Sequence, residues 1–410
     1  MSDREFSGFD VETVKDNVSQ PPLDDLRAAA HFRRRRRKGG VALAVVAVLA
    51  GVAFAPIDRS PDPLEFAGPD PTGSASQRRA SELVVLSDKA AVAVEVAEEG
   101  CRISFAATID AGRSWSDWQA ARHSGTCTMS TNAESLGATD VRYSVLSEQS
   151  YLVRFDDELV LSTDAGRTWH DANSTGTAVT AFPKKARPVP CQQGCGAINQ
   201  PLAVDPTSGR VFRLTGQPPS PYPPYNIYES PDGALWITYW PGEYGRPSVL
   251  ARSVDRGATW QTSQAPEGTT SIGVAAVSGQ EAYLLTEPLP ADPNGPRATA
   301  PSRLLRTING GQSWTDVGTD LPTTDGVRPF TIGADGSLMV LHTDATPAFV
   351  MISRDGGRHF TKAREYGDGR ADANPGRAWL YGRDDQSVGG ADHVQLTTDG
   401  SSWTRFPLPH

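Results

Sequence analysis

The chain is poor in the residues that most often carry chemistry. It has four cysteines, four methionines and seven histidines in 410 residues. No histidine and no second CxxC pair sits at metal-ligand spacing, so no metal is expected. There is no nucleophile elbow, phosphate-binding loop, HExxH or dinucleotide fingerprint. That removes serine hydrolases of that type, P-loop NTPases, zincins and Rossmann enzymes, and no cofactor is expected. Beyond the first sixty residues no apolar run has period 3.6, which excludes a helical bundle. Basic charge is also scarce. The formal net charge is −9, and residues 1–38 carry nine Lys or Arg against seven Asp or Glu, which leaves −11 for the remainder. An acidic body lacks the basic face that neutralises phosphates, so no nucleic acid is expected.

What the chain does have is glycine and proline, at 39 and 32 residues, with 38% hydrophobic residues. This composition suits many short strands joined by turns, hence an all-β fold. Near the start, Arg33 to Lys38 form a block of six cations, followed by the uncharged run GGVALAVVAVLAGVAFAPI, Gly39 to Ile57. Its nineteen residues just span a hydrocarbon core, and the cations predict that the N-terminal side stays in the cytoplasm. The reading is a basic cytoplasmic tail (1–38), one transmembrane helix (39–57), an extracellular linker rich in Pro, Ser and Gly (58–80) and an extracellular body (81–410) at the cell membrane. The alternative is a cleaved signal peptide, with Ala53 to Ala55 as the small-x-small site. The Arg- and Ala-rich leader suggests a bacterial source. All four cysteines follow the apolar run, as suits an exported body with two disulfides. Of the three connectivities, proximity favours Cys101–Cys127 and Cys191–Cys195; buried free thiols are the other reading.

One stretch recurs: TIDAGRSW at Thr108–Trp115, STDAGRTW at Ser162–Trp169, SVDRGATW at Ser253–Trp260 and TINGGQSW at Thr307–Trp314. SRDGGRHF at Ser353–Phe360 and the shorter TTDGSSW at Thr397–Trp403 complete the set. The key positions are Asp110, Asp164, Asp255, Asn309, Asp355 and Asp399, each followed by Trp115, Trp169, Trp260, Trp314, Phe360 or Trp403. Gaps of 54, 91, 54, 46 and 44 residues separate them, and 91 is about two periods, so one copy has lost its motif. A β-type run precedes each copy and another follows it, which places the motif at a turn between antiparallel strands. The acid and hydroxyls accept turn N–H groups, the glycine supplies positive φ, and the aromatic ring packs over the turn. Six copies spread along one fold describe a corner rather than one active site.

These motifs resemble Asp boxes, the S/T-x-D-x-G-x-T/S-W signature of bacterial-neuraminidase (BNR) repeats, found in sialidases, sortilin-like receptors and a photosystem-assembly factor family. The resemblance covers roughly residues 80–410 and implies a β-propeller. A period of about 45–50 residues with four short strands fits one blade. Seven blades are expected, with six as the alternative, and region 175–225 is an irregular third blade or an insertion. SWSDWQAA (114–121) reads as the fourth strand of the first blade, and LAVDPTSGRVFRL (202–214) as the first two strands of another. A first blade with all four strands predicts closure by packing alone, without strand exchange.

The resemblance also raises sialidase chemistry. Sialidases hold the substrate carboxylate with three arginines, the first in an F/Y-R-I-P motif, and use a Tyr nucleophile paired with a Glu plus an Asp acid/base. The nearest string here is CRISF, with Arg102 and Ile103 but no proline. No catalytic residue carries over. Acid pairs such as Asp156–Asp157 and Asp384–Asp385 read as solvated turns. The most unusual composition lies at 216–247, where Tyr222, Tyr225, Trp240 and Tyr244 among prolines offer a rigid aromatic surface for a protein or glycan. Tyr228, Trp236 and Tyr239 read there as blade packing. The leading expectation is a membrane-anchored extracellular binding or assembly module for an unidentified protein or glycan. The second is an exo-α-sialidase-like glycoside hydrolase, which requires three arginines converging on the axis.

Overall fold

The computed structural model describes residues from Ala80 to Pro409, apart from 81, 98–101, 126–140, 156–157, 175, 191–200, 217–218, 223, 240–246, 267–268, 289–300, 323–328, 344, 368 and 385–389. The tail, the apolar run, all but the last residue of the linker and all four cysteines lie outside these residues. Among the described residues no helix is long and apolar enough to cross a membrane.

The strands form seven four-stranded sheets, the seven blades of a propeller. Blade 1 spans Glu82–Ser124, blade 2 Val141–Asp171, blade 3 Thr177–Leu214 and blade 4 Pro224–Gln264. Blade 5 spans Thr269–Asp316, blade 6 Phe330–Tyr366 and blade 7 Ala371–Pro407. In six blades the order in space is the order in sequence, and every pairing is antiparallel. In blade 1, Leu83 faces Ala93, which faces Ala106.

Middle strands are largely buried, and Leu235–Tyr239 and Leu338–His342 are buried along their whole length. Each sheet is covered on both faces by neighbours, so these strands read as apolar runs rather than alternating ones. Outer strands, such as Gln261–Gln264 and Thr315–Asp316, are short and mostly exposed. That blunts the sheet edge against pairing with another chain. The apolar core is a set of layers between blades. Blades 1 and 7 share one layer, in which Leu83 and Ala93 meet Trp379, Val394 and Phe406. The ring therefore closes by packing, with blade 1 holding all four of its own strands.

The repeated stretch is the turn between the third and fourth strands of each regular blade. In STDAGRTW the Ser162 hydroxyl donates to Asp164 Oδ1 at 2.9 Å and accepts the Gly166 N–H at 2.8 Å. Asp164 accepts the Thr168 N–H at 2.9 Å and its hydroxyl at 2.7 Å. The same pattern recurs around Asp110 and Asp255. Asn309 keeps it by donating its amide to Ser313 Oγ at 2.8 Å. In blade 6, His359 Nδ1 takes the hydroxyl's place, 2.6 Å from Asp355 Oδ2. The Ser114 hydroxyl and N–H, with the Thr108 hydroxyl, hold the Asp110 carboxyl down at about 2, since each bond favours the anion. The residue after the acid also has positive φ, 62° at Ala111 and Ala165 and 58° at Arg256.

The aromatic residue reaches the preceding blade rather than only its own turn. Trp169 lies 5.9 Å from Phe105 of blade 1, and Trp314 6.2 Å from Trp236 of blade 4. Trp115 lies 6.1 Å from Phe406, across the seam between blades 1 and 7. Strands begin just after the aromatic residue. In blade 1 the fourth strand is Arg122–Ser124, not 114–121 as expected, because the chain first turns to bury Trp118.

Blade 3 is irregular, and it explains the missing copy. Its order is Arg187–Pro188, Leu202–Val204, Val211–Leu214 and then Thr177–Val179, with the last pair parallel. The outer strand precedes the inner one in sequence. Parallel neighbours cannot be joined by a tight hairpin, so there is no place for the motif. LAVDPTSGRVFRL thus forms the second and third strands, not the first two. Arg187 Nη1 donates to Leu146 O at 2.8 Å and Ser144 Oγ to Pro190 O at 2.6 Å. Rising numbers meet falling ones, so this inner strand runs against that of blade 2. Arg256, in the turn of blade 4, ties the detour down. It donates to Phe182 O at 3.0 Å, Ala186 O at 2.5 Å and Glu229 Oε1 at 3.2 Å.

Two predictions follow from this packing. Gly112 has φ 78°, and a Cβ there would lie 2.5 Å from Pro407 O; Gly318 has φ 68° with nothing within 4 Å. Gly318→Ala is expected to cost about 1–2 kcal/mol for the left-handed backbone. Gly112→Ala is expected to cost clearly more, because blade 7 must also move; denaturant midpoints of the two variants measure the difference. Arg256→Ala leaves a residue the backbone tolerates, as at Ala111, but strands three acceptors. It is expected to destabilise by about 2–3 kcal/mol and to raise hydrogen exchange selectively at 177–190.

Candidate functional site

The inner strands surround a cavity of about 610 Å³ on the axis, and all seven blades contribute to its lining. Its wall is largely apolar, with Val84, Val145, Ile227 and Phe330 among the lining residues. This follows from the burial that the inner strands need. The cavity's polar lining groups come from five blades: Arg187 from blade 3, Tyr225, Asn226, Tyr228 and Glu229 from blade 4, and a set from blades 1, 2 and 7 that meets across one seam. Glu82 is in blade 1, Tyr143 in blade 2, and Asp372 and Asn374 in blade 7.

The Tyr143 hydroxyl donates to the Glu82 carboxylate. Burial, then the Glu82 charge, pushes the Tyr143 phenol well above its ordinary range. Asn374 donates its amide to Val85 O, and Tyr381 Oη accepts the Leu83 N–H at 3.0 Å. These bonds lash blade 7 to blade 1 beside the axis. Asp372 accepts the Ala373 N–H at 2.7 Å. Its carboxyl is nevertheless pushed up to about 7, chiefly by loss of water; the Ala373 bond opposes this and the Glu82 charge adds to it. Desolvation disfavours a carboxylate more than one N–H bond restores it.

Of the expected aromatic surface, Tyr225 lines the cavity and is 38% exposed. Tyr222 instead packs on Ile227, Ile237 and Tyr239 of blade 4. Trp240 and Tyr244 lie outside the described residues. Tyr228, Trp236 and Tyr239 are buried in blade packing, as read from the sequence. Among the described residues Arg187 is the single arginine lining the cavity, and it already donates to Leu146 O. Arg102 opens the third strand of blade 1, two strands out from the axis. Three converging arginines are therefore not found among the described residues.

Sequence reasoning missed Glu82, Tyr143 and Asp372. Their signal was a polar residue in an inner strand, ELVV, VRYSV and ADAN, the first two otherwise largely buried and the third half-buried, visible once strands are assigned to ring positions. It also passed over a second polar group at the boundary of blades 6 and 7. Asp384, Asp392 and His393 bring ligand-type atoms within 4.8 Å of one another. His393 is already engaged by Asp392 on Nδ1 and by the Tyr366 hydroxyl on Nε2, and Asp384 pairs with Arg405 at 2.5 Å. The geometry is that of a polar chain rather than an open cation cage.

No protein-family model matches the chain, and no curated protein matches it significantly. Solved structures do. An ancestral GH74 enzyme is similar at 12% identity over 74% of this chain and 44% of its own, with TM-score 0.43. A Hadza microbial sialidase is similar at 17% identity over 62% and 53%, with TM-score 0.31. YCF48 bound to a D1 peptide is similar at 13% identity over 81% and 83%, with TM-score 0.32. The match spans less than half of the GH74 enzyme and about half of the sialidase. All three TM-scores lie below 0.5, and the seven-bladed assignment rests on the strand pairing itself.

Proposed function

We propose that the chain is a membrane-anchored, extracellular Asp-box (BNR) propeller that binds a protein or a glycan through its axial cavity. One observation carries this reading. The cavity joins apolar side chains and the exposed ring of Tyr225 to polar groups already held by bonds within the fold, Glu82 by Tyr143, Asn374 by Val85 O and Arg187 by Leu146 O, a surface equipped to hold rather than to cleave. The anchor rests on the Gly39–Ile57 run and the six cations before it, and disulfides Cys101–Cys127 and Cys191–Cys195 belong to the same exported reading.

A second reading has its own observation. A carboxyl protonated near neutral pH is what a general acid needs, and Asp372 at about 7 stands in the same cavity as the Tyr143–Glu82 pair. That set answers to an exo-α-sialidase-like glycoside hydrolase.

Turnover of a fluorogenic sialoside by the full-length protein separates the two. The binding reading expects none between pH 5 and 8. Hydrolysis that is lost in Tyr143→Phe and Asp372→Asn overturns it in favour of the second. For binding, Tyr225→Ala is expected to weaken affinity for a ligand found on a glycan or peptide array by about tenfold, ~1.4 kcal/mol. The Asp372 carboxyl is uncharged in the folded protein up to about pH 7, but ionised in the unfolded chain above about 3.9. Its contribution to stability is full below the unfolded value and is lost as pH rises through the folded one. Between about pH 4 and 7 the wild type is therefore expected to lose stability on this account. Asp372→Asn is expected to flatten that slope, read from urea midpoints at pH 5 and pH 8.

A further inference from the structure

Tyr366 ends the outer strand of blade 6, and His393 opens the third strand of blade 7. The Tyr366 hydroxyl lies 2.6 Å from His393 Nε2. His393 is fully buried, and its Nδ1 bonds the largely buried carboxylate of Asp392. A carboxylate only accepts, so Nδ1 carries the imidazole proton and Nε2 is left to accept from the phenol. This is the order of hydroxyl, base and orienting acid that activates a nucleophile.

The backbone is shaped around it. A Cβ on Gly382 would lie 2.2 Å from Tyr366 Cε1 and 2.7 Å from His393 Nε2; one on Gly367, at φ 79°, would lie 1.6 Å from Tyr381 O. Gly382 leaves the room in which the phenol meets the imidazole, and Gly367 lets the end of the outer strand lie against the Tyr381 backbone. Positive charge also stands by: the Arg364 guanidinium lies over the Tyr366 ring at 5.4 Å, and Arg405 sits 3.9 Å from Asp392. The Tyr366–His393 bond is only partly buried, with the ring packed on the core layer between blades 6 and 7.

We propose that Tyr366 is a nucleophile toward activated acyl groups, with His393 as its general base and Asp392 as the residue that positions the imidazole. Tyr366 Oη attacks the acyl carbon while its proton passes to His393 Nε2. The tetrahedral adduct then collapses, forming the aryl ester as the bond to the leaving group breaks. The leaving group departs with that electron pair and the imidazolium returns the proton. Negative charge that develops on the phenol is favoured by the Arg364 guanidinium over its ring.

The test is acetylation of the full-length protein by p-nitrophenyl acetate, with sites and rates mapped by peptide mass spectrometry. Tyr225, 38% exposed, is the internal reference. Tyr366 is expected to be acetylated at least about tenfold faster, within the range of general-base assistance. Its rate is expected to level off with pH well before the ordinary phenol range near 10, while Tyr225 keeps rising. His393→Gln is expected to abolish the advantage, and Asp392→Asn to reduce it, with Tyr225 unchanged. If the variants do not fold, the wild-type rate ratio and pH profile decide alone. A Tyr366 rate at or below that of Tyr225, or one that follows the same pH course, makes the contacts structural and overturns the proposal.

Discussion

Each sheet in this ring must bury two faces, and everything else follows from how closely the next blade approaches. The approach is set by the repeated turn. Its glycine leaves no Cβ in the way: at Gly357 a Cβ would come within 2.2 Å of Leu304 of the preceding blade. Its aromatic residue then fills the groove beside that contact, as Phe360 does in the layer containing Leu304. The hydroxyl and acid fix the turn so that both groups arrive together. The step from blade 7 to blade 1 uses the same parts, Gly112 and Trp115 against Phe406. Closure is thus one more ordinary step, which is why no strand needs to be exchanged across the seam.

Blade 3 shows what happens when the turn is absent. Its outer strand arrives before its inner one, and the hairpin that would carry the motif does not exist. The packing step into blade 4 still takes place, because the turn of blade 4 is intact and Gly257 sits against Leu214. What is lost is the anchoring of the detour itself. Arg256 supplies it from the neighbouring turn, at a position that is Ala or Gly in the other long copies of the motif.

Much of the ring was legible because the turn is local. Hydroxyl, acid, glycine and aromatic lie within eight residues, so their spacing counts blades, and the gap between Asp164 and Asp255 marks the irregular one. The fourth strand of blade 1 was misplaced because Trp118 prefers the core layer to an edge strand, a tertiary choice that overrides β-propensity. The site was legible only in part. Tyr225 stood out as an aromatic among prolines, whereas Tyr143 and Glu82 are 61 positions apart and Tyr366 and His393 are 27 apart. Their meeting depends on ring geometry, which no local pattern contains.

The carboxylates make the same division in chemical terms. Asp110 and Asp372 are the same side chain, yet one is held at about 2 and the other raised to about 7. The difference lies in donors and water. Asp110 receives the Ser114 N–H and hydroxyl and the Thr108 hydroxyl at the exposed end of a hairpin. Asp372 receives the Ala373 N–H inside a narrow cavity near the Glu82 charge. Asp110, held as an anion so firmly, has no proton to give at neutral pH, and its role is confined to the corner it stabilises. One that is half-protonated near neutrality remains free to give or take a proton when a ligand changes its surroundings. The repeated acid at Asp110 therefore serves the turn alone, whereas Asp372 is kept in the range where a proton is exchanged near neutral pH.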